Sequence, residues 1–327
     1  MIYRKLGSSG IDISAVGFGA WAIGGWMWGG SDEKQAVEAI VAALDHGVTL
    51  IDTAPVYGFG RSERLVAQAI RGRRDRVVLA TKCGLIWDRV EGELHFHSDA
   101  DGITSGPSER DVYKCLRPES IRDELHASLQ RLQTDYVDLY QTHWQTTTTP
   151  VADTMAVLLK LKEEGKIRAI GVSNATVDHI KQYGGIDADQ ERFSMIDRAM
   201  ETDGGLEYCR QHKISVLAYS PLANGLLTGK LRPDRQYGPG DLRNGRQRFS
   251  PANVERMNAA LERLRPIAER HRATTSQLVI AWTIAQPGLT CALCGVRNAA
   301  QATENAEAGQ IELSAEEWDA MNRIVCE

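Results

Sequence analysis

This chain of 327 residues has few long hydrophobic runs, no excess of basic charge and few closely paired cysteines. No uninterrupted apolar run approaches the roughly 20 residues that a membrane-spanning helix needs. The N-terminal stretch MIYRKLGSSG is charged but has no apolar segment behind it, so we expect neither a secretory signal nor a membrane anchor. The formal net charge is -5, which makes nucleic acid an unexpected partner. A cytoplasmic protein is the resulting expectation.

The cysteines are dispersed along the chain. They are Cys83, Cys115, Cys209, Cys291, Cys294 and Cys326. Cys291 and Cys294 form a C-x-x-C pair, but this pair lies inside the apolar run LTCALCG and no second pair follows it. A redox or zinc role is therefore weakly indicated, and buried free thiols are predicted. No bound metal is expected.

Short apolar, β-branched runs indicate strands that are covered on both faces. They occupy residues 13–21, 48–52, 76–82, 136–143, 167–173, 192–197, 214–220 and 289–295. Helical apolar stripes lie between them, most clearly at 118–132, 153–164 and 252–270. This alternation predicts one (β/α)8 TIM barrel domain over residues 1–327, with residues 2–12 as a hairpin across its bottom. A doubly wound open sheet is the alternative, and the barrel is preferred because no G-x-G-x-x-G follows the first strand.

Three segments exceed the usual loop length, and each follows the C-terminal end of a predicted strand. They span residues 83–117, 221–251 and 296–327. In a barrel of this type that end carries the active site. The first segment contains Trp87, His95, Phe96 and His97, so residues 85–116 are predicted to be a substrate-facing lid, although a solvated loop is an equal alternative.

Four polar side chains stand at successive strand ends. Asp52 closes the second strand in LIDTAPVYGFGRSE, Tyr57 follows in the loop, Lys82 ends the third strand and His143 ends the fourth. An ammonium beside a phenol is expected to lower the pKa of the phenol, and a carboxylate would keep that ammonium in place. A neutral imidazole could orient a substrate oxygen by a hydrogen bond. Each residue alone has an ordinary structural explanation, but together they suit protonation of a carbonyl oxygen while another group supplies hydride.

Ordered motifs along the whole chain resemble the aldo-keto reductase superfamily. They include YRKLGSSGIDISAVGFGAW, the IDTAPVYG block, TKCG, DLYQTHW, IRAIGVSN, AYSPLANGLLTGK and GVRNAAQATEN. WAIGGWMWGG and DLYQTHW are similar to the bacterial branch that contains inositol-operon, general-stress and glyceraldehyde reductases. The resemblance implies a (β/α)8 barrel that binds NADP(H) in an extended groove. It also implies a catalytic role for Asp52, Tyr57, Lys82 and His143.

The same resemblance implies the cofactor-binding residues. They are Trp21, Asp52, Ser173, Asn174, Gln190, Tyr219, Ser220, Pro221, Leu222, Gly225, Leu227, Lys230, Gly295, Arg297, Gln301, Glu304 and Asn305. Ser173, Asn174 and Gln190 would hold the nicotinamide carboxamide, and Tyr219 would stack on the nicotinamide ring. Gly295 and Val296 replace a Lys-Ser pair seen in other branches, so the expected preference for NADP over NAD depends largely on Arg297.

The expected activity is NADPH-dependent, reversible reduction of aldehydes or ketones, with small aldehydes such as glyceraldehyde among the possible substrates. Five tryptophans suggest an aromatic-walled pocket, although packing at the top of the barrel would explain them equally. They are Trp21, Trp26, Trp28, Trp87 and Trp144. The alternative function is a nucleotide-sensing regulatory subunit with slow turnover, which could keep the same four polar residues.

Overall fold

The computed structural model describes residues 1–326, and their side chains as far as Ile324. The strands are β1 Tyr3–Lys5, β2 Asp12–Ser14, β3 Val16–Gly19, β4 Leu50–Asp52, β5 Val78–Cys83, β6 Leu85–Ile86, β7 Glu93–Phe96, β8 Val112–Lys114, β9 Val137–Thr142, β10 Ile167–Ser173, β11 Ala188–Arg192, β12 Ser215–Tyr219 and β13 Leu289–Gly295. The helices are α1 Glu33–Asp45, α2 Arg61–Ile70, α3 Pro118–Leu132, α4 Val151–Glu163, α5 Val177–Tyr183, α6 Ala199–Thr202, α7 Gly205–Gln211, α8 Pro251–Glu262, α9 Arg265–His271, α10 Thr275–Ala285, α11 Ala299–Glu307 and α12 Ala315–Cys326.

Eight parallel strands close into a barrel in the order β3-β4-β5-β9-β10-β11-β12-β13, with β13 paired to β3. This closure confirms the predicted (β/α)8 fold. Side chains that point inward form a buried layer inside the barrel, for example Leu50, Leu139 and Leu217. All parallel strands end at the same face, so the residues at their C-terminal ends share one site.

The N-terminal hairpin closes the bottom of the barrel, as predicted. β1 and β2 pair antiparallel, and Leu6 and Ile13 pack into the barrel interior. Gly7 lies very close to the residue that precedes β11, because a Cβ on Gly7 would be 2.1 Å from the Asp187 carbonyl oxygen. With a φ of 53° as well, this position favours glycine.

The predicted position of the sixth barrel strand, 192–197, was wrong. The sixth barrel strand is β11, Ala188–Arg192. Residues 194–197 instead form a tight turn in which Ser194 and Asp197 exchange backbone hydrogen bonds. β11 escaped the apolar pattern because its outward residues are Asp189 and Glu191 and its inward end is polar too. The first strand is also shorter than predicted, because residues 12–14 belong to the hairpin.

The apolar stripe over 252–270 belongs to two helices, α8 and α9. Pro266 stands in the first turn of α9, where a missing N–H does no harm, and the chain bends before it. Helix α3 begins and ends where predicted, at Pro118 and Leu132.

The long segment after β5 is ordered by a small antiparallel sheet, in the order β6-β8-β7. Beyond β7, the Asp101 carbonyl accepts a hydrogen bond from the Met27 N–H at 3.0 Å. A Cβ on Gly240 would lie 2.9 Å from the same carbonyl oxygen. The segments after β3, β5 and β12 therefore meet above the barrel.

Five cysteines are free and buried, as predicted for them, and the side chain of Cys326 lies outside the described residues. Within residues 1–326, no helix is long and apolar enough to cross a membrane. The same part of the chain contains no cluster of three or more His, Cys, Asp and Glu side chains that could hold a metal ion.

Candidate active site

Lys82 is the centre of the polar site at the C-terminal face of the barrel. Its Nζ donates to Asp52 Oδ2 at 2.7 Å, to the Thr53 carbonyl oxygen at 3.0 Å and to the Tyr57 hydroxyl at 3.3 Å. Lys82 is completely buried and Asp52 is 3% exposed. A buried ammonium with three oxygen partners holds the carboxylate and the phenol in fixed positions.

A tight contact between two turns sets the position of Tyr57. A Cβ on Gly24 would lie 2.7 Å from the Tyr57 carbonyl oxygen, and one on Gly58 would lie 2.3 Å from the Gly24 carbonyl oxygen. Gly58 also has a φ of 68°. Glycine at both positions lets the Tyr57 turn approach the segment after β3, and this aims the phenol at Lys82.

The second oxygen of Asp52 is held by two amides. Oδ1 accepts from Gln190 Nε2 at 2.8 Å and from Gln141 Nε2 at 3.2 Å. Sequence reasoning missed Gln141, although its place two residues before His143 on a barrel strand was a usable signal. The two glutamines fix the rotamer of Asp52, and this in turn fixes Lys82.

His143 faces Tyr57 from the opposite side of the cleft. The two ring centroids are 5.7 Å apart and nearly perpendicular, at 82°. Burial and the Lys82 charge lower the pKa of His143 well below its ordinary range. The imidazole is therefore neutral near pH 7, as expected from the sequence, and can donate one hydrogen bond to a substrate oxygen.

The expected lowering of the Tyr57 pKa is not what the structure shows. Burial, the Asp52 charge and Tyr219 raise the pKa of Tyr57 well above its ordinary value. Burial also lowers the pKa of Lys82, against the opposing effect of Asp52. The reason is that protein packs closely around the phenol, so desolvation of the phenolate outweighs the attraction of one ammonium. Tyr57 therefore keeps its proton, which suits an acid.

Polar groups at the ends of β10, β11 and β12 form the next part of the site. Asn174 has a φ of 53°, and its side chain donates to the His143 carbonyl oxygen and accepts from the Tyr219 hydroxyl at 2.8 Å. The Ser173 hydroxyl donates to the Gln190 carbonyl oxygen. These residues are brought together as predicted, beside Tyr57 and His143 in one cleft.

The cleft has a volume of about 530 Å³ and runs from the aromatic residues after β3 to the N-terminus of α11. Sixteen of the predicted cofactor residues line it: Trp21, Asp52, Ser173, Asn174, Gln190, Tyr219, Ser220, Pro221, Leu222, Gly225, Lys230, Gly295, Arg297, Gln301, Glu304 and Asn305. Leu227 does not, because it is completely buried in the hydrophobic core. Trp21, Trp28 and Trp144 line the cleft, whereas Trp87 packs on Phe59 outside it.

Sequence reasoning missed several other lining residues. They are Gly19, Ala22, Met27, Val56, Leu85, Ile103, Arg192, Asn224, Thr228, Leu231, Arg235, Arg243, Ser276, Leu293 and Val296. Eight of them lie in the three long segments, where no strand periodicity places a side chain. Trp26, which was expected in the aromatic pocket, also lines the cleft. Arg192 had a signal, since it ends β11 and lies over the Tyr219 ring, but the sixth strand was misplaced.

Three guanidinium groups gather at the α11 end of the cleft. Burial lowers the pKa of Arg297, and the charges of Arg243 and Arg235 lower it further. Arg297 Nη2 donates to the Trp28 and Gly30 carbonyl oxygens, while its Nε is buried without a partner among the described residues. Asp241 balances only part of this charge.

This donor set fits the phosphate groups of a nicotinamide dinucleotide. Arginine forms bidentate pairs with phosphate oxygens, and a cluster of like charges is stabilised by an anion. Lys230 also lines this end, paired with Glu304 at 2.6 Å. With Ser173, Asn174 and Gln190 near Tyr57, the groups that would hold the two ends of such a cofactor lie in one continuous cleft.

Comparison with known proteins agrees with this geometry. An NADH-specific methylglyoxal reductase from Escherichia coli is 44% identical over 318 residues, which is 94% of each chain. A glycerol dehydrogenase from Gluconobacter oxydans superposes with a TM-score of 0.83 at 35% identity, covering 97% of this chain and 92% of that one. An aldo/keto reductase from Klebsiella pneumoniae, solved with NADP and acetate, has a TM-score of 0.69 at 30% identity and covers 98% and 94%. The model of the aldo/keto reductase family matches residues 15–325, and the chain belongs to that family.

Proposed function

We propose that this oxidoreductase reversibly reduces small aldehydes and ketones to alcohols, using NADPH in preference to NADH. One observation carries the proposal: the buried Lys82 ammonium bonds to both Asp52 and Tyr57, opposite a neutral His143, at the floor of a cleft. This set can deliver a proton to a carbonyl oxygen. The bound cofactor would supply hydride to the carbonyl carbon.

The residues of the chain divide the remaining work. His143 donates a hydrogen bond to the carbonyl oxygen and places it beside the Tyr57 hydroxyl. Tyr57 gives its proton to that oxygen, and the Lys82 ammonium stabilises the phenolate that remains. Asp52, held by Gln190 and Gln141, keeps Lys82 in position.

The arginine cluster supports the preference for NADPH. Arg297, Arg243 and Arg235 bring three guanidinium groups to one end of the cleft, and such groups form bidentate pairs with a phosphate monoester. Glu304 is the opposing feature, because a carboxylate at this end could accept a hydrogen bond from a free ribose hydroxyl. Its pairing with Lys230 weakens that effect. The name of the Escherichia coli relative, which specifies NADH, makes this preference worth a direct test.

The aromatic lining of the cleft supports a small substrate. Trp21, Trp28 and Trp144 line the cleft, with His95 as a polar group beside Trp144. Burial and the charge of Lys114 lower the pKa of His95, so it is a neutral hydrogen-bonding group near pH 7. A short aldehyde with one further oxygen, such as glyceraldehyde or methylglyoxal, fits this combination. The names of two similar proteins, a methylglyoxal reductase and a glycerol dehydrogenase, point to compounds of the same size.

The test is a panel of aldehydes with NADPH and NADH, followed at the absorbance of the reduced nicotinamide. We expect turnover with short aldehydes and a higher kcat/KM with NADPH. Tight cofactor binding without turnover on any aldehyde would instead favour the alternative, a nucleotide-sensing regulatory subunit. Higher kcat/KM with NADH would leave the reductase function in place and refute the cofactor preference.

A further inference from the structure

Two carboxyl groups stand on the outer side of β11, behind the cofactor residues. Asp189 is completely buried, and Glu191 is partly buried beside it. Burial and the neighbouring charge raise the pKa of Asp189 well above its ordinary range, and burial raises the pKa of Glu191 to about 7. Asp203 and Cys209 are the other titratable groups that face the pair. Burial therefore favours the protonated form of Asp189.

Glu191 reaches from this pair to the loop that begins the nicotinamide site. Its Oε1 accepts the backbone N–H of Ala175 at 2.6 Å. Ala175 directly follows Asn174, whose backbone is in the left-handed region with a φ of 53°. A non-glycine residue in that region is held there by its surroundings.

The side chain of Asn174 connects this loop to the reactive end of the cleft. It bonds to the His143 carbonyl oxygen at 2.9 Å and to the Tyr219 hydroxyl at 2.8 Å, while its backbone N–H bonds to the Gln190 carbonyl oxygen. Glu191 fixes the peptide on the far side of this strained residue. Without it, the Ala175 N–H would lose its partner and the loop could relax.

We propose that Glu191, through its bond to the Ala175 N–H, is a positioning residue that holds Asn174 ready for the nicotinamide carboxamide. The proposal rests on the proposed function, because it assigns the nicotinamide to Asn174. It adds a group that touches neither substrate nor cofactor. Its effect should therefore be confined to the nicotinamide end of the cleft, and the arginine end should not be affected.

The experiment compares two ligands that differ in the nicotinamide. NADPH and 2′-phospho-ADP-ribose are titrated calorimetrically into the wild-type protein, Glu191→Ala and Glu191→Gln, with NADH and ADP-ribose in parallel so that cofactor preference does not matter. Losing the partner of a part-buried N–H should weaken dinucleotide binding about tenfold in Glu191→Ala. Binding of the two ADP-ribose ligands should not change. Glu191→Gln should stay close to wild type, because an amide oxygen still accepts from Ala175 and the amide nitrogen can donate to Asp189.

Asp187→Ala is the matched control. Asp187 is also buried, and its Oδ2 accepts the backbone N–H of Ile170 at 3.0 Å, in the middle of β10 and away from Asn174. It should lower the Tm without changing the ratio of the two affinities. Glu191→Asp, whose shorter side chain should not reach Ala175, serves if the alanine variant does not fold.

Equal weakening of both ligands in Glu191→Ala, or a Gln variant as weak as the Ala variant, would overturn the positioning role and leave the proposed function intact. Wild-type protein that binds none of the four ligands would refute the proposed function and the inference together. Unchanged binding of all four ligands in Glu191→Ala and Glu191→Asp would refute the inference alone.

Discussion

At the scale of single residues, the direction in which the pKa of Tyr57 is shifted decides whether this side chain acts more readily as a proton donor or as a proton acceptor. The identity of the four polar residues could be read from the sequence, since each ends or follows a strand of one barrel. The sign of the pKa shift could not be read from the sequence, because it depends on how completely folding removes the phenol from water. Burial makes Tyr57 a group that holds its proton until a carbonyl oxygen receives it.

We therefore expect Tyr57→Phe to retain cofactor binding and to lose nearly all turnover. Positioned proton transfer contributes on the order of 10²–10⁴-fold to rate, so kcat should fall by about that factor. Steady-state kinetics with a short aldehyde, alongside a binding titration of NADPH, measures both. Tyr3→Phe is a matched control, since Tyr3 is exposed on the hairpin at the opposite end of the barrel. A kcat within about threefold of wild type would remove Tyr57 from the acid role.

Arg297 is the residue on which the cofactor preference was expected to depend, and the structure adds a second role. Its guanidinium holds the Trp28 and Gly30 carbonyl oxygens as well as lining the cleft. Losing a charged partner of phosphate should cost roughly 1.5–3 kcal/mol, or about ten- to a hundredfold in NADPH affinity for Arg297→Ala. NADH affinity should fall much less, through the loosened Trp28 segment alone. Arg232→Ala, an exposed arginine on the segment after β12, is the control, and equal losses for both cofactors would show that Arg297 does not read the additional phosphate.

At the scale of elements, the sequence predicts helices and strands wherever an apolar pattern reflects burial. Helix α3 shows this, because Pro118 marks its first turn and its apolar stripe faces the barrel. β11 shows the limit, because the raised pKa of the buried Asp189 and the bond from the Ala175 N–H to Glu191 are features that no hydropathy pattern records. The strand missed for that reason is the one that carries Gln190 and Arg192 into the cleft.

Helix α3 also gives a pH-dependent stability that can be measured. Glu124 accepts the Gly84 N–H at 2.9 Å where the segment after β5 begins, and burial raises its pKa to about 8. A carboxyl whose pKa is raised on folding stabilises the fold fully below its unfolded value of about 4.5, and this stability is lost as the pH rises through about 8. Between pH 6 and pH 8 the loss should be of the order of 2 kcal/mol.

Glu124→Gln, which imitates the protonated side chain, should flatten this part of the dependence. Urea unfolding at pH 6, 7 and 8 measures the free energy of unfolding of each variant. Glu119→Gln, an exposed position on the first turn of the same helix, should keep the wild-type slope. An unchanged pH slope of the unfolding free energy in Glu124→Gln would mean that another group titrates. Glu191, whose pKa burial raises to about 7, would be the next candidate.

At the scale of the whole molecule, three segments from different strands meet above one cleft, and this contact was not predictable. The sequence placed residues 83–117 at the active face but could not show that Asp101 bonds to Met27 and lies against Gly240. Such contacts depend on how separate segments pack, and no single segment encodes them. They make residues 85–116 part of a roof shared with the segments after β3 and β12.

Replacing residues 89–112 by a short Gly-Ser turn tests whether this roof selects substrates. The change removes β7 with His95 and Phe96, which line the cleft, while Arg297, Lys230 and Asn174 remain. We therefore expect NADPH affinity to change little and kcat/KM to change unevenly across aldehydes of different size, as a lid would require.

His95→Leu is the matched point variant within an intact sheet, and it should lower kcat/KM for glyceraldehyde more than for butanal. His97→Gln, on the same strand extension but paired with Asp111, should leave that ratio unchanged. The replacement could instead change kcat/KM by the same factor for every substrate, or leave it unchanged for all of them. The segment would then be a solvated loop without a role in substrate choice, and selectivity must come from Trp21, Trp28 and Trp144.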